Sequence, residues 1–571
     1  MKLNRIFSSD FETNNHEDDC RVWAWASCDI NNTDNIYYGN DLESFMRFIK
    51  KGNQTHYFHN LKFDIQFILY YLFHHGFTYS EEYKDNTFKT LISNNGLFYS
   101  LDITYHVFDN GNRWHTKFYD SLKKLPMSVS SIAKAFNLEE QKEVIDYNLV
   151  REKGHELTKE EKSYIKNDVV IIAKALKIQH ENNLKKMTIG SDALSDFKKI
   201  ISTKKYEYFF PSLSKELYED LKPSYKGGFT YVNKIHKKKY RKNILVYDVN
   251  SLYPSVMRYE KLPYDTPRFF EGKYEFDENY PLYIQKIFVN FKIKKNHIPT
   301  IQLKHNFLFS QTEYLETSKN EVVTLHLTNI ELPLFLEHYE ILSIEYVCGY
   351  KFKAKTGFFD KYIDKWTNIK IESKKQGNFA LYTIAKLMLN SLYGKFGSSI
   401  ITTQKIPYLS EDDIVCYKKG EETEKDSLYL PMAIFITSYA RFKTISSAQK
   451  VYKNFCYADT DSIHLTNISK EEVEKLIEVD DYKLGAWKLE SEADIGYFIR
   501  AKTYIEKSKN ELNIKCAGMP DNLKQYVTLE NFNEGLKLEG KLLPKRVKGG
   551  VVLEATEFTM KWKKKQIYLY V

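Results

Sequence analysis

Two carboxylates one residue apart, in Tyr457-Ala-Asp459-Thr-Asp461-Ser462, constrain this 571-residue chain more than any other stretch. Val451 to Tyr457 before them and Ile463-His-Leu465 after them have the aromatic and β-branched character of strands, so Asp459-Thr-Asp461 is expected at the tip of a hairpin. Oxygen ligands of this kind suit Mg²⁺ or Mn²⁺, which retain water and share their remaining positions with substrate phosphates. One hairpin is an incomplete site. Its partner is expected in Ile244-Leu-Val-Tyr-Asp248-Val249, a short apolar strand that delivers Asp248 at its end before the chain turns through Ser251 and Pro254. Asp248 opposed to Asp461 would hold two ions roughly 3.5 to 4 Å apart, the spacing of in-line phosphoryl displacement. Acids also end strands because turns are polar, and for Asp248 alone that reading serves equally well; beside the Asp459-Thr-Asp461 hairpin it loses ground.

A second acidic constellation precedes the first. In Ser9-Asp10-Phe11-Glu12-Thr13 the period of a strand puts Asp10 and Glu12 on one face and Phe11 on the other. Tyr57-Phe-His59-Asn60-Leu-Lys-Phe63-Asp64 reads as a strand running into an apolar helix from Ile65 to Phe73, and Tyr164 and Asp168 share a face of a later helix. If Asp10, Glu12, Asp64 and Asp168 converge, they would bind two divalent ions that generate a hydroxide, with Tyr164 orienting the water. The product would be nucleotides clipped from a strand end. Solvated helix acids are the alternative for Asp64 and Asp168. Between these residues, Tyr119-Asp-Ser121-Leu122-Lys-Lys-Leu-Pro126 offers hydroxyl, apolar and cationic groups to a frayed single strand, or is a surface loop.

Charge and motif absences narrow the class. Lys and Arg number 84 against 75 Asp and Glu, a net +9 compatible with a polyanionic partner. The six cysteines form no Cys-x-x-Cys pair, so neither a zinc knuckle nor a disulfide framework is indicated. Gly272-Lys273, Gly394-Lys395 and Gly540-Lys541 are each followed by Tyr, Phe or Leu, which disfavours a P-loop ATPase. No apolar run approaches the roughly eighteen residues of a membrane span, and no secretion signal is expected.

Periodicity fades around 188 to 205, where a domain boundary is expected. Tyr225-Lys-Gly227-Gly228-Phe229 pairs glycines that admit a close backbone approach with groups that suit a sugar-phosphate chain; a plain turn is the alternative. Residues 261 to 350 read as mixed strands and loops, 361 to 394 as the strongest helical region, and 398 to 427 as a charged hairpin or loop. On the helical region Lys386, Asn390 and Tyr393 share a stripe that would meet the triphosphate, sugar and base of a nucleotide, with Lys370 a second candidate cation. Lys502-Thr-Tyr504 is expected on a strand with Lys502 and Tyr504 on one face.

With these motifs in order, the chain resembles the protein-primed family B DNA polymerases of tailed phages, the phi-twenty-nine type, from Asp10 nearly to the C-terminus. Asp10-Phe-Glu12, Asn60 to Asp64 and Tyr164 to Asp168 match that family's three proofreading exonuclease motifs. Tyr225 to Phe229 matches the motif that couples polymerisation to editing. Asp248 to Pro254, Lys386 to Gly394, Tyr457 to Ser462 and Lys502 to Tyr504 match its polymerase motifs. The resemblance implies an α+β and α/β multidomain fold: an RNase-H-like 3′→5′ exonuclease domain (1–188), then a right hand of palm (189–260 and 428–530), fingers (359–394) and thumb (531–571). Insertions at 261–358 and 395–427 would be the terminal-protein regions that contact the priming protein and encircle DNA, conferring processivity and strand displacement.

By the same resemblance, Asp248 and Asp461 are the main metal ligands with Val249 beside them and Asp459 supporting. Two Mg²⁺ or Mn²⁺ are implied per active site, the editing pair on Asp10, Glu12, Asp64 and Asp168. Tyr253 would exclude a 2′-hydroxyl; Tyr393, Asn390, Lys386 and Lys370 would hold the incoming deoxynucleoside triphosphate. Tyr225, Gly227, Gly228, Lys502 and Tyr504 would hold template-primer DNA, and Thr13, Tyr57, His59, Asn60, Phe63, Phe67, Ser121 and Leu122 the single strand. Tyr382 stands where the family pattern anticipates a lysine, in a Lys370 to Lys386 segment a few residues longer than the family's. The implied setting is a monomer in the cytoplasm of an infected bacterium, copying a linear genome from a terminal protein. Two rivals remain: a nuclease whose polymerase half only grips DNA, and a non-catalytic nucleic-acid scaffold.

Overall fold

The computed structural model describes residues 5–143, 145, 149–303, 313–426, 428–509 and 511–560. Its first sheet has eight strands in the order Ile36–Gly39, Val22–Asp29, Arg5–Thr13, Gln54–Phe58, Arg113–Asp120, Phe98–Val107, Thr87–Ile92 and Thr78–Tyr79. Arg5–Thr13, Gln54–Phe58 and Arg113–Asp120 run parallel to one another at its centre. Across it lies the helix Lys159–Glu181, started by a capping box in which Thr158 and Glu161 each bond the other's backbone N–H. That helix buries Ile165, Val169, Ile172 and Leu176 and so presents Tyr164 and Asp168 towards the Asp10 strand.

The second sheet is antiparallel throughout, in the order Glu511–Cys516, Thr503–Ser508, Trp487–Arg500, Tyr240–Val249, Ser462–Thr466, Phe455–Asp459 and Thr230–Val232. The long helix Leu430–Lys450 packs behind it, buried along most of its length. Two antiparallel helices, Asp360–Lys375 and Phe379–Phe396, project as a pair separated by Gly377 at φ +69°. The segment 261 to 358 forms a four-stranded sheet, Leu262–Glu271, Tyr339–Lys355, Leu282–Ile293 and Val323–Thr328, with the helix Glu331–His338. Where periodicity was expected to fade, the structure has helices at Ile189–Ile201 and Thr203–Phe209. The first is capped by Thr188 and buries Ile189, Ala193 and Phe197 along one face, a local signal the sequence reading passed over, and Phe197 and Tyr206 pack on Phe359 and Phe396.

Two hairpins far apart in sequence end on the first sheet. Ile401–Leu409 pairs with Val415–Glu424, and Lys537–Val547 pairs with Gly550–Thr559. Val415 from one and Val547, Val551 and Val552 from the other join the core containing Phe11, Phe58 and Phe67. At about 1.5–3 kcal/mol for each fully buried valine, these tips are firmly seated. Their polar contacts agree: Asp413 accepts from Tyr70 Oη at 2.8 Å and pairs with Lys548 at 3.1 Å, and Tyr417 Oη donates to Gln66 at 2.8 Å. First sheet, insertion hairpin and C-terminal hairpin thus close on one another. All six cysteines are free, and among the described residues no helix is long and apolar enough to cross a membrane.

Candidate active sites for nucleotide transfer and strand-end hydrolysis

The hairpin expected at Asp459-Thr-Asp461 forms, with Asp459 opposite Ser462 and Thr460 at φ +63° in the turn. Three bonds fix that turn: Thr460 N–H donates to the Phe229 carbonyl (2.6 Å), Thr444 Oγ1 to the Thr460 carbonyl (2.8 Å), and Val249 N–H to the Asp461 carbonyl (2.8 Å). The last bond brings Asp248 beside Asp461, because Asp248 pairs with Ser462 on the adjoining strand. Burial, then Asp461, then Glu490 push the Asp248 carboxyl up to about 7, and burial raises that of Asp461. Such repulsion between half-buried carboxylates is what a bound cation would relieve.

Asp459 is arranged differently. Both its oxygens pair with Lys502 Nζ, at 3.0 and 3.1 Å, and it also accepts from Thr230 Oγ1 and Tyr457 Oη. Lys502 was expected on a strand beside Tyr504; instead it occupies the turn before Thr503–Ser508 at φ +54°, its N–H donating to Tyr457 Oη. Tyr504 is 8% exposed and packs on Tyr457 with ring centroids 4.9 Å apart, so it supports the hairpin from within rather than facing a ligand. Glu490, which the sequence reading missed, reaches this site from Trp487–Arg500; only the strand register reveals it.

Tyr253, on the helix Leu252–Tyr259 entered through Ser251 at φ +55°, stacks on Tyr393 with centroids 3.8 Å apart. Burial raises both phenols, and each ring's hydroxyl lies close enough to act on the other. Lys386 and Asn390 are exposed on the same helix as Tyr393. Lys370, on the facing helix, is held below the usual lysine range by burial and by Lys386, Lys374 and Lys488. Tyr382 lies on the Lys386 helix, half-buried.

Gly227 is open to solvent, whereas a Cβ on Gly228 would meet Thr460 Oγ1 at 2.7 Å and Cγ2 at 2.8 Å. The glycine therefore lets this segment lie against the acidic hairpin. Arg441, buried and paired with Glu331 at 2.5 Å, donates to the Lys226 and Gly227 carbonyls and locks the segment in place. Tyr225 is half-buried beside Gly397. Gly228→Ala should slow nucleotide incorporation markedly by pushing the Thr460 turn, and leave strand-end digestion unchanged; parallel assays of the two activities check it.

In the first sheet Asp10 and Glu12 do share a face, with Phe11 buried behind them. Asp64, at the start of the helix Ile65–His74, and Asp168 come to the same place. Burial first, then neighbouring carboxylates, push Asp10 up to about 7 and raise Glu12 and Asp64 well above the usual range. Asp168 Oδ2 pairs with Lys142 at 2.5 Å, while its buried Oδ1 has no hydrogen-bond partner. Lys142, also 5.7 Å from the Tyr164 ring centre, was not foreseen: it comes from an irregular stretch with no periodic signal. Among the described residues no three ligand side chains close a metal cage on their own.

The single-strand residues separate into two groups. Asn60 is exposed at φ +71° with its N–H bonded to Asp120, and Thr13, Phe63 and Leu122 are half-buried around the acids. His59 bonds Ser121 Oγ at 3.0 Å and the Met127 carbonyl at 2.8 Å, and burial lowers its pKa. Ser121 is itself fully buried and donates to the Phe58 carbonyl, so it positions His59. Tyr57, 3% exposed against Tyr119 and His180, is a core residue rather than a surface one. Phe67, fully buried, lies under the C-terminal hairpin, where a Cβ on Gly550 would meet its ring at 2.4 Å. Motif spacing alone could not show that both face inwards.

One acidic cluster thus lies on the first, mixed sheet and a second on the antiparallel sheet, flanked by a lysine-bearing helix pair. A family model described as DNA polymerase type B, organellar and viral, matches residues 45–155 and 150–478. The DNA polymerase of Bacillus phage B103 is 47% identical over 98% of this chain and all of its own length; that of Streptococcus phage Cp-1 is 33% identical over 97% and 98%. The structure of phi29 DNA polymerase complexed with primer-template DNA superposes with a TM-score of 0.93 at 44% identity, covering 98% of this chain and 100% of that one. The chain belongs to the type B DNA polymerases of the organellar and viral kind, and within them to the phi29 type. It is a DNA-directed DNA polymerase, and enzymes of this family are metal-dependent.

Proposed function

We propose that this polymerase extends a primer at the Asp248–Asp461 site and edits at the Asp10–Glu12–Asp64–Asp168 site, each with two Mg²⁺ or Mn²⁺. The observation that carries the reading is the pairing of two separate carboxylate clusters, each raised by burial and mutual repulsion, on one chain. The donor sets fit a hard divalent cation: oxygen ligands only, with an unpartnered buried oxygen on Asp168. Asp248, Asp461 and the Val249 backbone would hold the polymerase pair, which when bound activates the primer hydroxyl and neutralises charge on the leaving pyrophosphate.

The chain's own residues supply position. Lys370 and Lys386 receive the triphosphate of the incoming nucleotide, and the stacked Tyr253 and Tyr393 form the floor beneath its sugar, too close for a 2′-hydroxyl. Lys502, kept in place by Asp459 and Tyr457, faces the primer end, and Gly227, Gly228 and Tyr225 pass the template strand. At the editing site Lys142 steadies Asp168, Tyr164 orients the attacking water, and Thr13, His59, Asn60, Phe63 and Leu122 grip the frayed strand.

The domain boundaries given above are adopted with this reading: exonuclease, palm, fingers and thumb, with insertions at 261–358 and 395–427. Initiation on a terminal protein's hydroxyl, action as a monomer, and a setting in the infected bacterial cytoplasm complete it. Closure of the Ile401–Glu424 hairpin on the Lys537–Thr559 hairpin supports an encircling role. On a singly primed DNA circle, with Mg²⁺ and four nucleotides but no helicase or clamp, the purified chain should make products many circle-lengths long. Synthesis that stops within one circumference would remove the encircling role, and degradation without extension would favour the nuclease rival.

A further inference from the structure

We propose that Lys488 is a contact for the phosphate tail of the incoming nucleotide and for the pyrophosphate that leaves, an inference that rests on the polymerase reading of the Asp248–Asp461 site. Lys488 is the cross-strand partner of Asp248 in the Tyr240–Val249 and Trp487–Arg500 pair. Residues opposite each other in an antiparallel pair project to the same face, so Lys488 stands on the side of the sheet that carries the catalytic carboxylate. Glu490, two residues on, shares that face and lies close enough to act on both Asp248 and Asp461. Lys488 is exposed, while Trp487 beside it is buried and donates to Ser447, which fixes the strand against the helix behind.

Lys488 belongs to a group of four. With Lys386, Lys374 and Lys370 from the two projecting helices it surrounds one region; Lys370 senses the other three charges. Among the described residues none of these four ammonium groups forms an ion pair with a carboxylate. Four like charges from one strand and two helices, none of them tied up in an ion pair although Lys386 also acts on Asp248 and Asp461, offer a compact polyanion several charge-assisted contacts. The adjacent carboxylates give that polyanion its orientation: the reacting phosphorus lies towards Asp248 and Asp461 and the tail towards the lysines. Lys488 is the one of the four carried by the sheet, so the strand pair that positions Asp248 positions it too. It is therefore suited to hold the pyrophosphate after bond formation as well as the triphosphate before it.

The test uses the full chain with Mg²⁺ and primer-template DNA, comparing Lys488→Ala and Lys488→Arg. The alanine variant should raise KM for deoxynucleotides about tenfold, the loss of one charge-assisted contact. It should raise the inorganic pyrophosphate concentration needed for pyrophosphorolysis by a similar factor, with kcat little changed. The arginine variant should restore both, and digestion of single-stranded DNA should be unaffected in each. An alanine variant that polymerises with unchanged KM and unchanged pyrophosphate dependence would overturn the inference, as would a defect confined to primer-template affinity. A wild-type chain unable to extend any primer would overturn the polymerase reading and this inference with it.

Discussion

Asp461→Ala should reduce nucleotide incorporation by about 10³-fold or more, since metal-mediated charge stabilisation amounts to several kcal/mol in the transition state. Digestion of single-stranded DNA should continue at the wild-type rate. The separation is expected because the Thr460 turn is held by backbone bonds to Phe229 and Val249 and by Thr444, none of which uses the Asp461 carboxylate. The substitution also removes one of the neighbours that raise Asp248, whose carboxyl stays raised by burial and by Glu490. One remaining carboxylate does not replace two as a cation site. Asp461→Asn, which keeps the shape and loses the charge, should be as inactive as the alanine variant. Single-turnover primer extension beside single-strand digestion reads both predictions; loss of both activities, or retention of incorporation, would dismiss the two-site account.

The polymerase carboxylates were legible because strands have a period of two and end in turns: an apolar run, Asp248, then a bend, and an Asp-Thr-Asp between two strand-like segments leave little choice of geometry. Asp10 and Glu12 were legible for the same reason. Lys142 and Glu490 were not, because one comes from an irregular stretch and the other depends on which strand lies beside Tyr240–Val249, information that no local pattern holds. Tyr57, Phe67 and Tyr504 show the opposite failure. An aromatic residue in such a motif either stacks on a base or supports the residues that do, and spacing does not say which. Burial at 3%, 0% and 8% assigns all three to support. Lys502 was misplaced on a strand because the left-handed turn it occupies carries neither glycine nor asparagine to announce it.

Combining Asp10→Ala with Asp64→Ala should produce the converse of the first result, a loss of single-strand digestion of about 10³-fold or more with primer extension preserved. These two acids also make a stability prediction. Burial raises both carboxyls in the folded chain, Asp10 from 3.8 to about 7 and Asp64 well above 3.8, with Glu12 and Asp168 adding repulsion. A carboxyl whose folded pKa lies above its unfolded value favours the folded state fully below the unfolded pKa and loses that contribution as pH rises through the folded one. In the metal-free protein, the wild-type melting temperature should therefore fall relative to the double variant between pH 5 and pH 8, the span that contains the shifted Asp10 value. If the proposed editing site binds Mg²⁺, the ion neutralises the same cluster, and its stabilising effect on the wild type should be larger at pH 8 than at pH 5 and smaller in the double variant. Thermal melts at both pH values, with and without Mg²⁺, measure this directly. Equal melting shifts in the two proteins would mean that the four carboxylates do not share their charge in the folded chain. The editing assignment would then have to rest on the digestion assay alone.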